Sequence, residues 1–346
     1  MLTDTLPAGK LDIIGDVHGH FDALTELLDH LGYRDNGSHP AGRRLVFVGD
    51  LADRGPDSPA VFAWVMAACA AGRAHMVLGN HEANLLTGEA KDGSGWFFAE
   101  RSERDGRCYA PWQTLPAGEH GRILDFLAQQ PLLLERSDLR IVHAAWQDKA
   151  VETVRRRRSE NLADLYQEWE DDLCRCIRHA PWYDDYLDEQ RRYAHLFDDP
   201  AAKLPLLAAT AAHDVYRNGA NPLRMLTCGP EASAAAPFFA GGRWRFSVRE
   251  PWWNRYTASA AVVIGHYWRP WQGEAAPRRS EMFTVPPHHW HGAGGKVFCC
   301  DFSVGARWRE RKRHIAPQHS AYRLAALRWP ERTLLFDNGE AVATVA

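Results

Sequence analysis

Three short apolar runs, each cut off by a cluster of glycine and polar ligand-type residues, constrain this chain more than anything else in it. Leu11-Asp12-Ile13-Ile14 runs into Gly15-Asp16-Val17-His18-Gly19, and Leu45-Val46-Phe47-Val48 runs into Gly49-Asp50-Leu51-Ala52-Asp53-Arg54-Gly55. Met76-Val77-Leu78 then runs into Gly79-Asn80-His81-Glu82. Nearly continuous β-branched and apolar runs of this length predict strands of a parallel sheet covered on both faces. In open α/β sheets the carboxyl ends of such strands meet at one edge, so Asp16, His18, Asp50, Asn80 and His81 are expected in one crevice.

The segments between the runs carry helix signals. Phe21, Leu24, Leu27, Leu28 and Leu31 recur at helical spacing, with Gly32 as the stop. Ser58-Pro59 reads as an N-cap followed by a first-turn proline, opening an apolar helix that stops at Gly72. The pattern is β-α-β-α-β, with right-handed crossovers.

Composition narrows the class. A length of 346 residues with 45% hydrophobic content allows one large α/β domain with insertions or two domains. A net charge of -3 sets up no global field for nucleic acid or an anionic membrane. The seven cysteines lack paired C-x-x-C spacing and read as reduced thiols. The longest uncharged apolar stretch, Ala60 to Ala71, is too short to span a bilayer, and Asp4, Lys10 and Asp12 interrupt any leader pattern, so a soluble cytoplasmic protein is expected.

Further along, Ala83 to Leu86 predicts the start of a helix. Lys91 to Glu119 is a glycine-rich loop carrying Trp96, Phe97, Phe98, Tyr109 and Trp112, read first as a satellite hydrophobic cluster and second as a substrate lid. Leu132 to Leu134 and Leu139 to Val142 predict two strands, the second ending at His143, and Ala261 to Ile264 predicts another ending at Gly265-His266. Between them, Val151 to Asp199 is charged and poor in β-formers, which predicts an inserted helical segment. Its Arg155 to Arg158 run reads as a solvated face, because consecutive charges on a helix point in every direction. From Phe238 to Trp271, Trp244, Trp252, Trp253, Trp268 and Trp271 alternate with Arg243, Arg245, Arg249, Arg255 and Arg269, either filling a core or forming a platform for a base and its phosphates. His288-His289-Trp290-His291 is expected to be an exposed loop rather than a second metal site. Val297 to Phe302, Tyr322 to Leu327 and Thr333 to Phe336 close the chain as strands of a second sheet.

Asp16, His18, Asp50, Asn80, His143 and His266 thus come from five strand ends and offer carboxylate, amide and imidazole ligands without sulfur. Such a mixture suits Mn, Fe or Zn. Six ligands exceed the need of one open metal, whereas two ions sharing a carboxylate use them naturally, and ions about 3.5–4 Å apart can clamp both oxygens of a phosphoryl displacement. Asp50, on the middle strand, is the expected bridge.

In their order, Gly-Asp-x-His-Gly, Gly-Asp-x-x-Asp-Arg-Gly and Gly-Asn-His-Glu resemble the motifs of the calcineurin-like metallophosphoesterases, and Asp53-Arg54-Gly55 resembles the phosphoprotein phosphatase branch, bacterial type. The resemblance implies an α/β fold of the metallophosphoesterase type, a two-sheet β-sandwich flanked by helices. It covers residues 11 to 82 most specifically; residues 1–346 are expected to form a single domain, with 151–235 a mainly helical insertion. It further implies two divalent ions, manganese first and Fe, Zn or Mg as alternatives. Asp16, His18 and Asp50 would hold one, and Asp50, Asn80, His143 and His266 the other. His81 becomes the general acid, oriented by Asp53, and Arg54 the bidentate phosphate ligand. The branch's second phosphate-binding arginine stays open among Arg217, Arg224, Arg245, Arg249 and Arg269.

The function expected is hydrolysis of phosphate monoesters, including phosphoserine or phosphothreonine in protein, by in-line attack of a metal-bridging hydroxide. Cleavage of dinucleoside polyphosphates is the alternative enzyme reading, and a scaffold that has lost chemistry the alternative of another class. Nucleic acid is not an expected partner, since the chain has no kinase-type phosphate loop, and no membrane partner is expected.

Overall fold

The computed structural model describes residues 1–271, 282–292 and 294–346. The chain runs through β1 (Thr3–Thr5), β2 (Leu11–Ile14), α1 (Phe21–Leu31), β3 (Arg44–Phe47), α2 (Ser58–Ala70), β4 (Ala74–Met76) and α3 (Asn80–Leu86). After α4 (Ser102–Tyr109) and α5 (Glu119–Leu127) come β5 (Leu133–Glu135) and β6 (Leu139–Val142). Five helices follow: α6 (Asp148–Arg156), α7 (Leu162–Arg178), α8 (Tyr183–Tyr193), α9 (Ala208–Ala220) and α10 (Pro222–Cys228). A hairpin of β7 (Glu231–Ala240) and β8 (Arg243–Arg249) leads to β9 (Ala261–Ile264) and β10 (Val297–Cys299). Finally come α11 (Arg307–Arg311), β11 (Ala325–Trp329), β12 (Thr333–Phe336) and β13 (Ala341–Ala343).

The strands make two large sheets, a six-stranded one in the order β13-β12-β11-β2-β3-β4 and a five-stranded one in the order β1-β5-β6-β9-β10. As the apolar runs predict, β2, β3 and β4 pair in parallel, though β4 covers Ala74–Met76 and shares only Met76 with the expected run. The closing strands do not make a second sheet of their own: β11 adds to β2 in antiparallel sense with β12 beside it, and β10 pairs with β9 in the other sheet. Period-two alternation decides what each strand face touches. Leu11, Ile13 and Val46 of one sheet meet Leu139, Ile141, Val263 and Phe298 of the other in a dry layer between the sheets. Their neighbours Ile14, Leu45 and Phe47 point the other way, against Leu24, Leu27, Val61 and Val65 of the flanking helices. The expected sandwich between helical layers is therefore present.

Local details differ from expectation for identifiable reasons. The N-cap of α2 is Asp57, whose side chain accepts from the Ala60 amide at 3.0 Å, because the Ser58 hydroxyl is taken by the Asp53 amide at 3.0 Å. Helix α3 begins at Asn80 rather than Ala83, so Asn80 and His81 occupy a helical first turn. Strand β11 starts at Ala325, later than Tyr322, since Arg323 bonds back to Phe302 instead of entering the ladder. Trp290 and His291 are buried, not exposed: His291 faces the Arg269 guanidinium at 3.0 Å and packs beside Trp253. The tryptophan-rich stretch is core only in part: Trp252 and Trp253 are buried, Trp244, Trp268 and Trp271 are half-buried, with Trp271 against Phe336, and Arg243, Arg245, Arg249 and Arg255 are exposed.

Asp12 sits fully buried in the middle of β2. Its carboxylate accepts from Arg43 Nε and Nη2 at 2.8 Å each and from the Tyr33 hydroxyl at 2.9 Å, which offsets the cost of removing the charge from water. Arg43→Met is expected to destabilise the fold by about 3 kcal/mol, because it leaves that buried carboxylate with only the Tyr33 hydroxyl and the more distant Arg328, 3.4 Å away, whereas Asp12→Leu combined with Arg43→Met recovers most of the loss. Urea midpoints of the two variants check this; equal midpoints would remove the pair from the account.

Candidate active site

The site grows out of strand ends. Asp16 and His18 follow β2, Asp50, Asp53 and Arg54 follow β3, Asn80 and His81 open α3 directly after β4, His143 follows β6, and His266 follows β9. His18, Asp50, Asp53, Arg54 and His266 all have positive φ, between 47 and 73°. Side chains other than glycine avoid that region at a cost of order 1 kcal/mol each, and such strain gathers where the surroundings hold a site in shape.

Asp50 lies at the centre. Its Oδ2 is 3.4 Å from His143 Nε2, 3.8 Å from His18 Nε2 and 3.9 Å from His81 Nε2, while its Oδ1 accepts from the His81 amide at 3.0 Å. Asn80 Oδ1 lies between His143 Nε2 at 3.2 Å and His266 Nδ1 at 2.8 Å. The two clusters able to hold an ion, His18-Asp50-His81 and Asp50-His143-His266, share Asp50 and are wholly buried. Asp16 stands beside them with its carboxylate turned to the His266 amide, at 3.0 Å from Oδ2.

Backbone carbonyls fix two of the rings. Nδ1 of His18 meets Ala52 O at 3.0 Å and Nδ1 of His143 meets Val48 O at 2.7 Å, which turns each Nε2 toward Asp50. The charge balance suits cations equally well. Asp16, Asp50, Asp53, Glu82 and Asp301 are all buried here, and Arg54 is the arginine among them. Burial pushes Asp16 well above the usual carboxylate range, helped by Asp301, and pushes Glu82 up to about 7. For Asp50 burial acts upward too, but His143 and His81 outweigh it and hold the acid low. Burial would depress His143, yet Asp50 raises it to about 10, whereas burial and the Arg249 charge hold His266 well below its ordinary value.

His81 and its neighbours form a second constellation. Nδ1 of His81 is 2.5 Å from Asp53 Oδ2, and the other Asp53 oxygen accepts from Trp96 Nε1 at 2.6 Å. Burial works against the charged ring, but Asp50 and Asp53 carry the balance and raise it. Arg54 places Nη1 3.0 Å from His18 Nε2 and lays its guanidinium over the Trp268 ring at 4.7 Å, with its peptide carbonyl held by Arg311 Nη2 at 3.0 Å. The aromatic loop after α3 is thus no detached satellite, since Trp96 reaches into the site and packs on Phe62.

Several participants escaped the sequence reading. Glu82 accepts the amides of Asp50 at 2.7 Å, Leu51 at 2.8 Å and Gly79 at 3.0 Å, tying two ligand loops together. Asp301 follows β10 and caps the Trp268 and Ser303 amides; its place at another strand end was the available signal. Among the open arginines Arg249 alone reaches the cluster, with Nη1 3.3 Å from His266 O. Arg224 is paired with Glu170 and Glu89, and Arg269 is buried against His291 and backbone carbonyls. Gly305 is required by contact: a Cβ there would lie 2.3 Å from His18 Cδ2.

The model of the calcineurin-like phosphoesterase family matches residues 9–215, and the chain belongs to that family, whose members are metal-dependent phosphoric ester hydrolases built around a dinuclear divalent centre. It is similar to the asymmetrical bis(5'-nucleosyl)-tetraphosphatase PrpE of Halalkalibacterium halodurans, 52% identical over 75 residues that make up 21% of this chain and 30% of the relative. The corresponding Bacillus subtilis protein is 49% identical over 73 residues, 20% of this chain and 30% of its own length. The chain thus spans about 30% of the length of these curated relatives. A cold-active protein-tyrosine phosphatase of a psychrophilic Shewanella superposes over 99% of this chain and 82% of its own, with 15% identity and a TM-score of 0.48.

Gly305→Ala is expected to push the His18 ring out of line and to weaken metal retention at least tenfold, with the far-ultraviolet circular dichroism unchanged. Bound manganese after dialysis reads the effect; undiminished metal content would mean that the His18 pocket has slack.

Proposed function

We propose that this chain is a dinuclear-metal-dependent phosphoesterase that hydrolyses phosphate monoesters in the manner of a Ser/Thr protein phosphatase. In this reading Asp16, His18 and Asp50 hold one divalent ion and Asp50, Asn80, His143 and His266 the other. The observation that carries it is the convergence of imidazole nitrogens from different strand ends on one Asp50 oxygen. Manganese is the first choice, since the donor set mixes carboxylate, amide and imidazole without thiolate; Fe, Zn and Mg are the alternatives. Once bound, the ions would supply charge stabilisation for the phosphoryl oxygens and a water acidic enough to attack in line near neutral pH. Residues 1–346 act in this proposal as one catalytic domain in the cytoplasm, with 151–235 as an insertion bordering the cleft.

The chain's own side chains would do the rest. Arg54, partly exposed at the mouth, offers a guanidinium fork that matches the planar oxygens of a phosphoryl group. Arg249, at the His266 carbonyl, is the fitting second arginine. His81 keeps Nδ1–H on Asp53, so that Nε2–H faces the centre and can protonate the departing oxygen. Asp53 orients that ring and is itself held by Trp96. A second reading, cleavage of dinucleoside polyphosphates, is favoured by the tetraphosphatase activity for which the relatives are named and by the arginines that continue outward from Arg249.

Turnover of p-nitrophenyl phosphate, a phosphothreonine peptide and diadenosine tetraphosphate with Mn, Mg, Zn or Fe tests the proposal. Chelation should abolish the activity and manganese restore it; two bound ions with no turnover of any substrate would leave the scaffold reading in its place. His81→Ala should lower kcat for an alkyl phosphate about 10²–10⁴-fold. It should harm p-nitrophenyl phosphate far less, because p-nitrophenolate departs without a proton. Equal losses on both substrates would deny His81 the acid role. Trp96→Phe, which removes one hydrogen bond to Asp53, should cost roughly tenfold in kcat with KM unchanged.

A further inference from the structure

Away from the metal-type cluster, a cavity of about 340 Å³ lies between α8, α9 and the β7–β8 hairpin. Its lining includes Arg217, Arg224, Arg243 and Arg245 against two carboxylates, Asp214 and Glu231. Both carboxylates already have partners on the wall: Asp214 lies 3.2 Å from His213 Nδ1, and Glu231 accepts from the Ser247 hydroxyl at 2.6 Å. Arg224 is neutralised from outside by Glu89 and Glu170, and Arg217 comes no nearer than 3.8 Å to Glu170. Among the described residues, Arg243 and Arg245 have no carboxylate within ion-pair reach; Arg243 rests on the Phe197 ring and Arg245 points Nε at the Ala240 carbonyl. A chain of net charge -3 has therefore collected uncompensated cations in one concave place.

The same cavity has an aromatic wall. Tyr186 and His213 stack at 4.2 Å with their planes 7° apart, and Trp182 meets the pair edge-on. Strand alternation connects this place with the cleft. Arg243, Arg245, Ser247 and Arg249 alternate along β8, and Phe246 between them packs on the same Phe197 ring that Arg243 rests on. Arg249 ends the row at the His266 carbonyl. From Arg245 to Arg249 the strand covers roughly 13 Å.

We propose that this cavity is a second ligand site, one that seats a nucleoside-phosphate end of a substrate whose scissile phosphorus lies at the Asp50 centre. The stacked Tyr186–His213 wall meets the base, Arg217, Arg243 and Arg245 meet the phosphate, and the arginine face of β8 guides the connecting phosphates toward Arg249. The proposal rests on the second form of the phosphoesterase reading, cleavage of dinucleoside polyphosphates, and gives one end of that substrate its seat.

Calorimetric titration of adenosine 5'-monophosphate into the manganese-loaded full chain, compared with Arg243→Ala/Arg245→Ala and with His213→Ala, tests the site without requiring turnover. Both variants should bind the nucleotide at least tenfold more weakly. The arginine pair should also weaken inorganic phosphate, whereas His213→Ala should leave it alone. With diadenosine tetraphosphate as substrate, the arginine variant should raise KM at least tenfold while kcat/KM for p-nitrophenyl phosphate stays within twofold. Unchanged nucleotide affinity in the variants would overturn the site, and so would a loss confined to phosphothreonine peptide, which would make the cavity a peptide dock. Absence of hydrolysis with nucleotide binding intact would instead strike the phosphoesterase reading and leave the cavity standing.

Discussion

A single buried carboxylate orders this molecule. Asp50 draws the ring nitrogens of His18, His81 and His143 to one oxygen and the His81 amide to the other. Everything that presents those partners has to arrive at one edge of two sheets. A sandwich whose strands β2, β3 and β4 run in parallel can do this, because its loops leave from the same edge. The price is backbone strain at His18, Asp50 and His266, which the dry layer between the sheets and the helix-facing core hold in place.

Glu82 supplies the stiffness that this arrangement needs. By accepting the amides of Asp50, Leu51 and Gly79 it joins the loop after β3 to the start of α3. The two loops then move as one body. The same logic recurs in a line from Trp96 through Asp53 to His81, where each hydrogen bond fixes the next group's orientation. Positioning of this kind is the main contribution a protein can make when metal ions carry the charge of the reaction.

Much of this was legible in the residues. The runs at Leu11, Leu45 and Leu139 became strands, because short β-branched segments buried on both faces have few other stable arrangements, and the residues that interrupt them had to lie at the ends. His143 and His266, far apart in the chain, could be placed by strand context, and their ring centroids lie 5.2 Å apart. Contacts formed only in three dimensions were hidden. Nothing adjacent to Gly305 announces a histidine ring, and Trp96 sits in an irregular loop where no periodicity points a side chain. The arginine–tryptophan stretch stayed open between core and platform because its composition is uniform while its burial is not. Trp252 supports the Ala144 carbonyl from the core, whereas Arg243 and Arg245 are exposed. Helix caps were misplaced for a similar reason, since Ser58 has a tertiary partner that local propensity does not see.

The path from His143 to His266 has a narrow neck. The Gly265 amide bonds to the His143 carbonyl at 2.8 Å, so the chain between them leaves and returns through one hydrogen-bonded point beside the site. Loop-closure entropy grows slowly with length, each doubling costing only about 0.6 kcal/mol. What hangs from the neck is nonetheless anchored, because Val151, Val154, Leu165, Leu223 and Trp252 belong to the same core as Leu24 and Val61. Its outer parts, α8 and the β7–β8 hairpin, pack in a separate small cluster or bury nothing, and they can take on a new surface while the sheets, the neck and the Asp50 cluster keep their geometry.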